Sequence, residues 1–247
     1  MEAAAEQGKA LVVLDRPDPN GFYVDGPVLD TALRSFVGMH PVPLVHGMTI
    51  GEYAGMINGE GWLKGGLRCT LKVVTCLGYD HAMHYALPVR PSPNLPNMAA
   101  VHLYPALGLF EGTPVSVGRG TDTPFQVIGF PGCTVGTHAF TPRSLPGAKD
   151  PPYLGVPCTG LSLASYGEFF TRLEPRLPLH WLIGMYQAYP DRKAFFKPFF
   201  DRLAGTRALR EQVEAGWDEE RIRASWAPGL NAFRKVRARY LLYDDFH

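Results

Sequence analysis

Apolar positions fall into a few short groups with different spacings. Residues 10–15 (Ala-Leu-Val-Val-Leu-Asp) form a nearly continuous apolar run closed by Asp15, which predicts a short buried strand. Turns are expected in Arg16-Pro-Asp-Pro-Asn-Gly21, and residues 22–48, crowded with Pro, Gly and His, read as irregular. Thr49-Ile-Gly-Glu52 has the spacing of a capping box, in which the Thr hydroxyl and the Glu carboxylate satisfy each other's backbone amides. It predicts a helix through Tyr53, Ala54, Met56 and Ile57 that stops near Gly59 or Gly61. A strand is expected at 71–76. Four prolines in 86–97 exclude both helix and central strand. Residues 101–109 read as a short strand running into a helix, and short strands are expected around 126–130 and 137–140.

The last third changes character. Ser165-Tyr-Gly-Glu168 has the spacing of a second capping box. Residues 178–189 predict a helix with Pro178 at its start, where a missing N–H costs nothing. Another helix is expected from Asp218, with Ile222 and Trp226 at i,i+4 spacing. Pro228 should break or restart it before Phe233, Val236 and Tyr240 continue the apolar stripe. No internal repeat is present. The expected fold class is α+β: a mixed sheet with long Gly/Pro-rich loops and a helical C-terminal third. The run at 10–15 is odd as an opening element, because a strand apolar on both faces normally follows earlier βα units.

Composition sharpens this picture. The 27 Gly and 23 Pro are roughly a fifth of the 247 residues, against a usual share of roughly 12%. Such a chain has long, shaped loops, where binding and catalytic groups tend to sit. The 46% hydrophobic content, with 14 Phe, 11 Tyr and 4 Trp, supports a large core and argues against disorder. A net charge of +1 offers no electrostatic basis for capturing nucleic acid or an anionic membrane. No apolar run reaches the roughly 18 residues of a membrane span, and the polar start Met-Glu-Ala-Ala-Ala-Glu-Gln-Gly-Lys lacks the apolar core of a signal peptide. The cysteines at 69, 76, 133 and 158 form no C-x-x-C pair, so neither a zinc site nor another cofactor is expected.

Four segments carry candidate chemistry. In Phe110-Glu-Gly-Thr-Pro-Val-Ser-Val-Gly-Arg-Gly-Thr-Asp122, glycines allow close backbone approach. There Glu111 can act as a general acid or base, Arg119 can fork onto a carboxylate, and Asp122 can hold sugar hydroxyls or Arg119 itself. The same segment also reads as a turn-rich connection with a structural Arg–Asp pair. It is neither a phosphate-binding loop nor a dinucleotide fingerprint. Gly38-Met-His-Pro-Val-Pro-Leu-Val-His-Gly47 holds two histidines without a third ligand at metal spacing, so His40 reads as substrate-facing or structural. Thr141-Pro-Arg-Ser-Leu-Pro-Gly147 presents Arg143 on a rigid loop. Asn58-Gly-Glu-Gly61 puts Glu60 at a helix C-terminus, against the dipole, which suits either a solvated end or a working carboxylate. No Gly-x-Ser-x-Gly elbow supports a serine nucleophile. The basic run 234–239 reads as a solvated helix face.

Several longer motifs point to one family. Among them are Asp15-Arg-Pro-Asp-Pro-Asn-Gly21, Val24-Asp-Gly-Pro-Val-Leu-Asp30, Gly38-Met-His-Pro-Val-Pro43, His46-Gly-Met-Thr-Ile-Gly-Glu-Tyr-Ala54 and Asn58-Gly-Glu-Gly-Trp-Leu63. Pro91-Ser-Pro-Asn-Leu-Pro-Asn97, Leu109-Phe-Glu-Gly-Thr113, Ser116-Val-Gly-Arg-Gly-Thr121 and Phe140-Thr-Pro-Arg-Ser144 belong to the same set. Together they resemble the NamZ-type exo-β-N-acetylmuramidases, a bacterial family once called a domain of unknown function, and the likeness covers almost the whole chain. It implies a glycosidase that releases N-acetylmuramic acid from the non-reducing end of muramyl saccharides, in the periplasm or outside the cell.

Under this resemblance Glu111 and Glu60 are the candidate catalytic carboxylates. Arg119, Asp122, Arg143, His40 and Asn58 are candidate substrate contacts, with an arginine suited to the lactyl carboxylate. Members of the family begin with a Rossmann-like domain ahead of the Asp-Arg-Pro-x-Pro motif, and the cleft between the halves holds the active site. Residues 1–30 are therefore expected to be the terminal strand and linker of that domain, and 31–247 the C-terminal substrate-binding domain. The implied partners are the saccharide and either a Rossmann-like half or a second copy of the chain. A non-catalytic partner domain is the alternative.

Overall fold

The computed structural model describes residues 1–246, the side chain of Phe170 excepted. Its strands divide among three small sheets rather than one mixed sheet. After a short helix α1 (Glu2–Glu6), β1 (Leu11–Leu14) pairs in parallel with β4 (Leu71–Val74), in the register Leu11↔Leu71 to Leu14↔Val74. Between them lie β2 (Asp25–Val28), β3 (Pro43–Val45) and helix α2 (Ile50–Gly59).

The expectation of a strand buried on both faces at 10–15 is corrected. Leu11 and Val13 are half-buried, but Val12 is 53% and Leu14 74% exposed. A parallel strand is buried twice only where both faces are covered, and here α2 covers one. Gly51 makes that packing close: a Cβ there would lie 2.5 Å from Val73 Cγ1 and 2.8 Å from Asp15 Cγ.

Two strands fall in the region expected to be irregular. β2 and β3 form an antiparallel pair whose register shifts between Asp25 and Val28, where Pro27 and Pro43 limit the ladder. The third sheet has the order β5 (Val127–Phe130), β7 (Cys158–Ser162), β6 (His138–Phe140), all antiparallel. β7 has no clear sequence signal, because its Thr-Gly centre is weakly apolar.

Helix α3 (Met98–Leu107) replaces the strand expected before residue 109. Asn97 Oδ1 caps it by accepting from the Ala100 amide at 3.0 Å. Pro105 lies inside the helix and has no N–H for the Val101 carbonyl. Asn20 Nδ2, from the Asp-Arg-Pro-Asp-Pro-Asn turn, donates to that carbonyl at 3.1 Å. A local backbone defect is thus filled from a loop 81 residues away.

The C-terminal third is helical as expected, with differences. Ser165 makes no capping bond, and residues Tyr166–Phe170 form a π-helical turn before α4 (Thr171–Leu173). Helices α5 (His180–Ala188), α6 (Phe200–Ala204) and α7 (Ala208–Glu214) follow. Helix α8 (Glu219–Arg237) is capped by Asp218 and runs unbroken through Pro228. That proline and the Ala224 whose carbonyl it deprives both lie on the exposed side, so the freed carbonyl is not stranded in the core. The buried stripe is Ile222, Trp226, Leu230, Phe233 and Arg237. The core packs this stripe with Phe110, Phe125, Phe195 and Phe200 between the helices and the three-stranded sheet. Each such ring contributes roughly 1.5–3 kcal/mol by leaving water.

The basic run is not wholly solvated. Arg237 is only 3% exposed; its Nε and Nη2 donate to the Gly47 carbonyl at 2.9 and 2.6 Å, and its Nη1 meets Asp245 at 2.7 Å. Gly47 has φ +60°, and a Cβ there would lie 2.7 Å from the Tyr23 carbonyl. No described helix is long and apolar enough to cross a membrane.

Candidate active site

The Asp15–Gly21 turn and the first turn of α2 are built as one unit. Asp15 Oδ1 accepts from the Gly51 amide at 2.8 Å, and its Oδ2 accepts from the Thr49 hydroxyl at 2.7 Å and the Tyr243 hydroxyl at 2.6 Å. A carboxylate suits this place, where the free amides of a helix N-terminus point outward. The capping box is formed in full: Thr49 Oγ1 accepts from the Glu52 amide, and Glu52 Oε2 accepts from the Thr49 amide at 2.8 Å. Glu52 does more than cap. Its Oε1 accepts from His81 Nε2 at 3.0 Å and from the Leu242 amide at 2.8 Å, with both side chains of the Glu–His pair fully buried. His81 Nδ1 lies 3.2 Å from the Gly21 carbonyl. One carboxylate therefore joins the α2 cap, the 79–81 loop and the C-terminal tail.

Outside this rigid base runs a string of clefts. One of about 240 Å³ is lined by Arg16, Asp18, His46, Met48, Ile50 and Tyr53. It adjoins a cleft of about 390 Å³ through His46 and Tyr53. A third, of about 680 Å³, shares His40 with the second and is lined also by Ile57, Trp62 and Lys64. The rings form a strip: His46 stacks on Tyr53 at 5.2 Å, His40 meets Tyr53 edge-on at 5.9 Å, and His40 stacks on Trp62 at 5.3 Å. Aromatic faces beside a few oriented polar groups are the usual composition of a small-ligand site.

Burial sets the electrostatics of the strip. It lowers His46 and His40 below the ordinary histidine value, with Arg34 adding to the effect at His40 and Asp18 opposing it at His46. It pushes the Tyr53 phenol up to about 12. It also raises the Asp18 carboxyl, against the opposing pull of His46 and of the Asn20 amide that donates to Asp18 Oδ1 at 2.9 Å. The Met48 amide donates to His46 Nδ1 at 3.1 Å, so the neutral ring carries its proton on Nε2.

The residues expected from sequence fall in several places. His40 lines two of the clefts, and its buried Nδ1 has no partner among the described residues. Glu111 and Arg119 are brought together: Nε and Nη2 of Arg119 reach Glu111 Oε1 at 2.9 and 2.7 Å, beside the Phe125 ring. Asp122 pairs with Arg143 at 2.5 Å rather than with Arg119, and both side chains are exposed. Glu60 is held by Arg239 at 3.0 Å and by the Tyr240 hydroxyl. Asn58 spends its side-chain amide on the backbone of Cys69, donating to O at 2.9 Å and accepting from N at 2.8 Å. Glu60, Glu111, Arg119, Asp122, Arg143 and Asn58 line none of the three clefts along α2. Asp18, Tyr53 and Trp62 were not singled out from sequence. They stand inside motifs already recognisable there, but only folding sets them side by side.

A rigid α+β scaffold with an aromatic, acid-bearing cleft defines a small-ligand-binding or enzymatic domain. The chain belongs to the NamZ exo-β-N-acetylmuramidase family: the family model "Exo-beta-N-acetylmuramidase NamZ, N-terminal" matches residues 1–99 and its C-terminal counterpart matches 102–243. The peptidoglycan β-N-acetylmuramidase NamZ of Bacillus subtilis (strain 168) is 36% identical over 267 residues, covering 98% of this chain. The chain spans 62% of the length of that relative. The crystal structure of a DUF1343 family protein from Bacteroides fragilis NCTC 9343 superposes with a TM-score of 0.95 at 48% identity. A second DUF1343 protein from that organism gives 0.80 at 26%. Each comparison covers 99% of this chain and 69% of the other.

Proposed function

We propose that this chain forms the greater part of an exo-acting glycosidase that releases N-acetylmuramic acid from the non-reducing end of muramyl saccharides. The observation that carries this reading is the pair of family matches, which run in order and almost without a gap from residue 1 to 243. The aromatic strip from His46 to Trp62 supports it physically, because it offers flat faces to a sugar beside hydrogen-bonding groups. The substrate belongs to peptidoglycan, so the proposed setting is cell-wall turnover in the periplasm or outside the cell. The test is incubation with N-acetylmuramyl-β-1,4-N-acetylglucosamine and mass-spectrometric detection of free N-acetylmuramic acid. No release, at enzyme concentrations that turn over a homologous muramidase, refutes it.

The carboxylate roles of Glu111 and Glu60, and the substrate contacts of Arg119, Asp122, Arg143, His40 and Asn58, are part of this proposal. Arg143 is the freer arginine, since its partner Asp122 is itself exposed and can be exchanged for a lactyl carboxylate. Glu111→Gln or Arg119→Ala should abolish release; unchanged turnover removes that residue from the site.

A second reading rests on a separate observation. The outer face of the β1–β4 pair exposes Val12, Leu14 and Val74 together, with Leu77 fully exposed nearby. Apolar strands left open in this way favour a covering partner. A Rossmann-like half, or a second copy of the chain, is the proposed cover, and in that case the chain alone binds muramyl sugar without cleaving it.

A further inference from the structure

Resting on the hydrolase reading, we propose that the cleft between the 35–38 turn and α6 is a subsite for a second muramyl residue, the third sugar from the cleaved end of a glycan. Phe36 stacks on the ring of that sugar, and Arg202 binds its lactyl carboxylate.

Both residues line the 390 Å³ cleft. Phe36 is fully exposed, and Val37 beside it is half exposed. The turn that holds them is nevertheless rigid. The Ser35 amide donates to the Gly38 carbonyl at 2.8 Å and the Gly38 amide donates back to the Ser35 carbonyl at 3.2 Å, so Phe36 and Val37 form a two-residue hairpin loop. At its base Asp30 Oδ1 accepts from the Ala32 amide at 2.9 Å, and the Asp30 amide donates to the Gly205 carbonyl at 2.7 Å. Gly205 ends α6 with φ +71°, and a Cβ there would lie 2.9 Å from Leu29 Cδ1. The turn carrying Phe36 and the helix carrying Arg202 are therefore locked to each other. A ring held rigidly in water gains the fold no hydrophobic burial, whereas it gives a ligand a preformed flat face.

The charge of the cleft selects the ligand. Arg202 is exposed and has no side-chain partner among the described residues. No Asp or Glu lines this cleft, and burial favours the neutral form of His40 and His46. The guanidinium is thus the permanent charge among the described lining residues, and it suits a carboxylate held by two parallel N–H donors. A flat pyranose face beside a carboxylate is the chemistry of N-acetylmuramic acid. Peptidoglycan glycans alternate this sugar with N-acetylglucosamine, so a carboxylate recurs at every second sugar. The hydrolase reading gives the terminal one to Arg143, which leaves Arg202 for the next. His40, a substrate contact in that reading, lines this cleft as well.

Turnover of two substrates tests the subsite: the muramyl disaccharide and the tetrasaccharide in which that disaccharide is repeated. Wild type should show a KM for the tetrasaccharide roughly tenfold below that for the disaccharide, as expected for one charge-assisted contact. Arg202→Gln and Phe36→Ala should each raise the tetrasaccharide KM toward the disaccharide value, with kcat unchanged, and Arg202→Lys should restore part of the difference. Equal KM values for the two substrates in wild type, or variants that change both substrates alike, overturn the proposal. Binding is measured separately by NMR titration with N-acetylglucosaminyl-β-1,4-N-acetylmuramic acid, which has no terminal muramyl residue to release. Both variants should weaken it roughly tenfold, and N,N′-diacetylchitobiose, which lacks the carboxylate, should bind wild type no better than the acidic disaccharide binds Arg202→Gln. Chitobiose binding as tight as the acidic disaccharide, or no binding of either, also overturns the proposal. A protein that binds as expected but releases no N-acetylmuramic acid overturns the hydrolase reading and leaves the binding site standing.

Discussion

Glu52→Ala should destabilise the protein by about 3–5 kcal/mol, because it strands three buried donors at once. The structure shows why. Truncation strips the acceptor from the Thr49 amide at 2.8 Å, the Leu242 amide at 2.8 Å and His81 Nε2 at 3.0 Å. All three donors surround a side chain with no solvent exposure, so each stranded N–H costs roughly 1–3 kcal/mol. Water entering the vacated space recovers part of the sum, which places the net value near the range above. For a chain of this length, each kcal/mol shifts Tm by roughly 2–4 °C, so the midpoint should fall by roughly 6–20 °C. Urea denaturation followed by tryptophan fluorescence measures the loss, with an unchanged m value expected. Hydrogen exchange supplies the local signature: the Leu242 amide should lose protection before α8 does, because Glu52 is its acceptor. Glu52→Gln keeps the volume and one acceptor but turns an NH₂ toward a donor, so it should fall between wild type and Ala. A loss under about 1 kcal/mol for the Ala variant, or unchanged Leu242 protection, refutes the view of Glu52 as the latch.

Three further outcomes follow from separate contacts. His40, His46, His84 and His102 are all lowered below their ordinary value by burial, so the unfolded chain binds more protons than the folded one as pH falls through 6.5. Stability should therefore be full above pH 6.5 and decline below it; His46→Gln should flatten that decline in urea midpoints taken at several pH values, and an equally steep decline contradicts the assignment. Asn20→Ala should cost about 1–2 kcal/mol by stranding the Val101 carbonyl, whereas in a Pro105→Ala background, where the helix supplies its own N–H, the same change should cost measurably less. Additive effects in that double-mutant cycle would show that Asn20 does not stand in for the missing amide. Finally, replacing Val12 and Leu14 by Thr and Lys should abolish any self-association seen by sedimentation, and a wild-type chain that stays monomeric at high concentration argues against a second copy as the cover of that face.

Local chemistry was legible in the sequence where one segment contains its own answer. The capping box Thr49–Glu52, the strands near 71–76, 126–130 and 137–140, and the Asp218-capped helix all depend on neighbours within a few residues. The family motifs were legible for the same reason. Tertiary packing decided the rest. Val101–Leu107 is apolar nearly all round, so its periodicity could not distinguish strand from helix until Asn97 and Asn20 satisfied its ends and its proline gap. Arg237 read as solvated because its partners, the Gly47 carbonyl and Asp245, are supplied by the fold.

The cleft follows the same rule. Sequence alone placed Asp18 in one motif and His46 and Tyr53 in another, with no reason to join the two. Asp15 and Glu52 bring those motifs together through hydrogen bonds that span 34 to 228 residues. Burial then sets the charge of Asp18 and His46, and burial belongs to the packed structure rather than to any stretch of chain. The sequence by itself determined the locally capped helices α2 and α8, the strands near 71–76, 126–130 and 137–140, the loop-rich character and the family. Only the tertiary structure decided which carboxyl faces the cleft, because desolvation and long-range hydrogen bonds exist only once the segments have met.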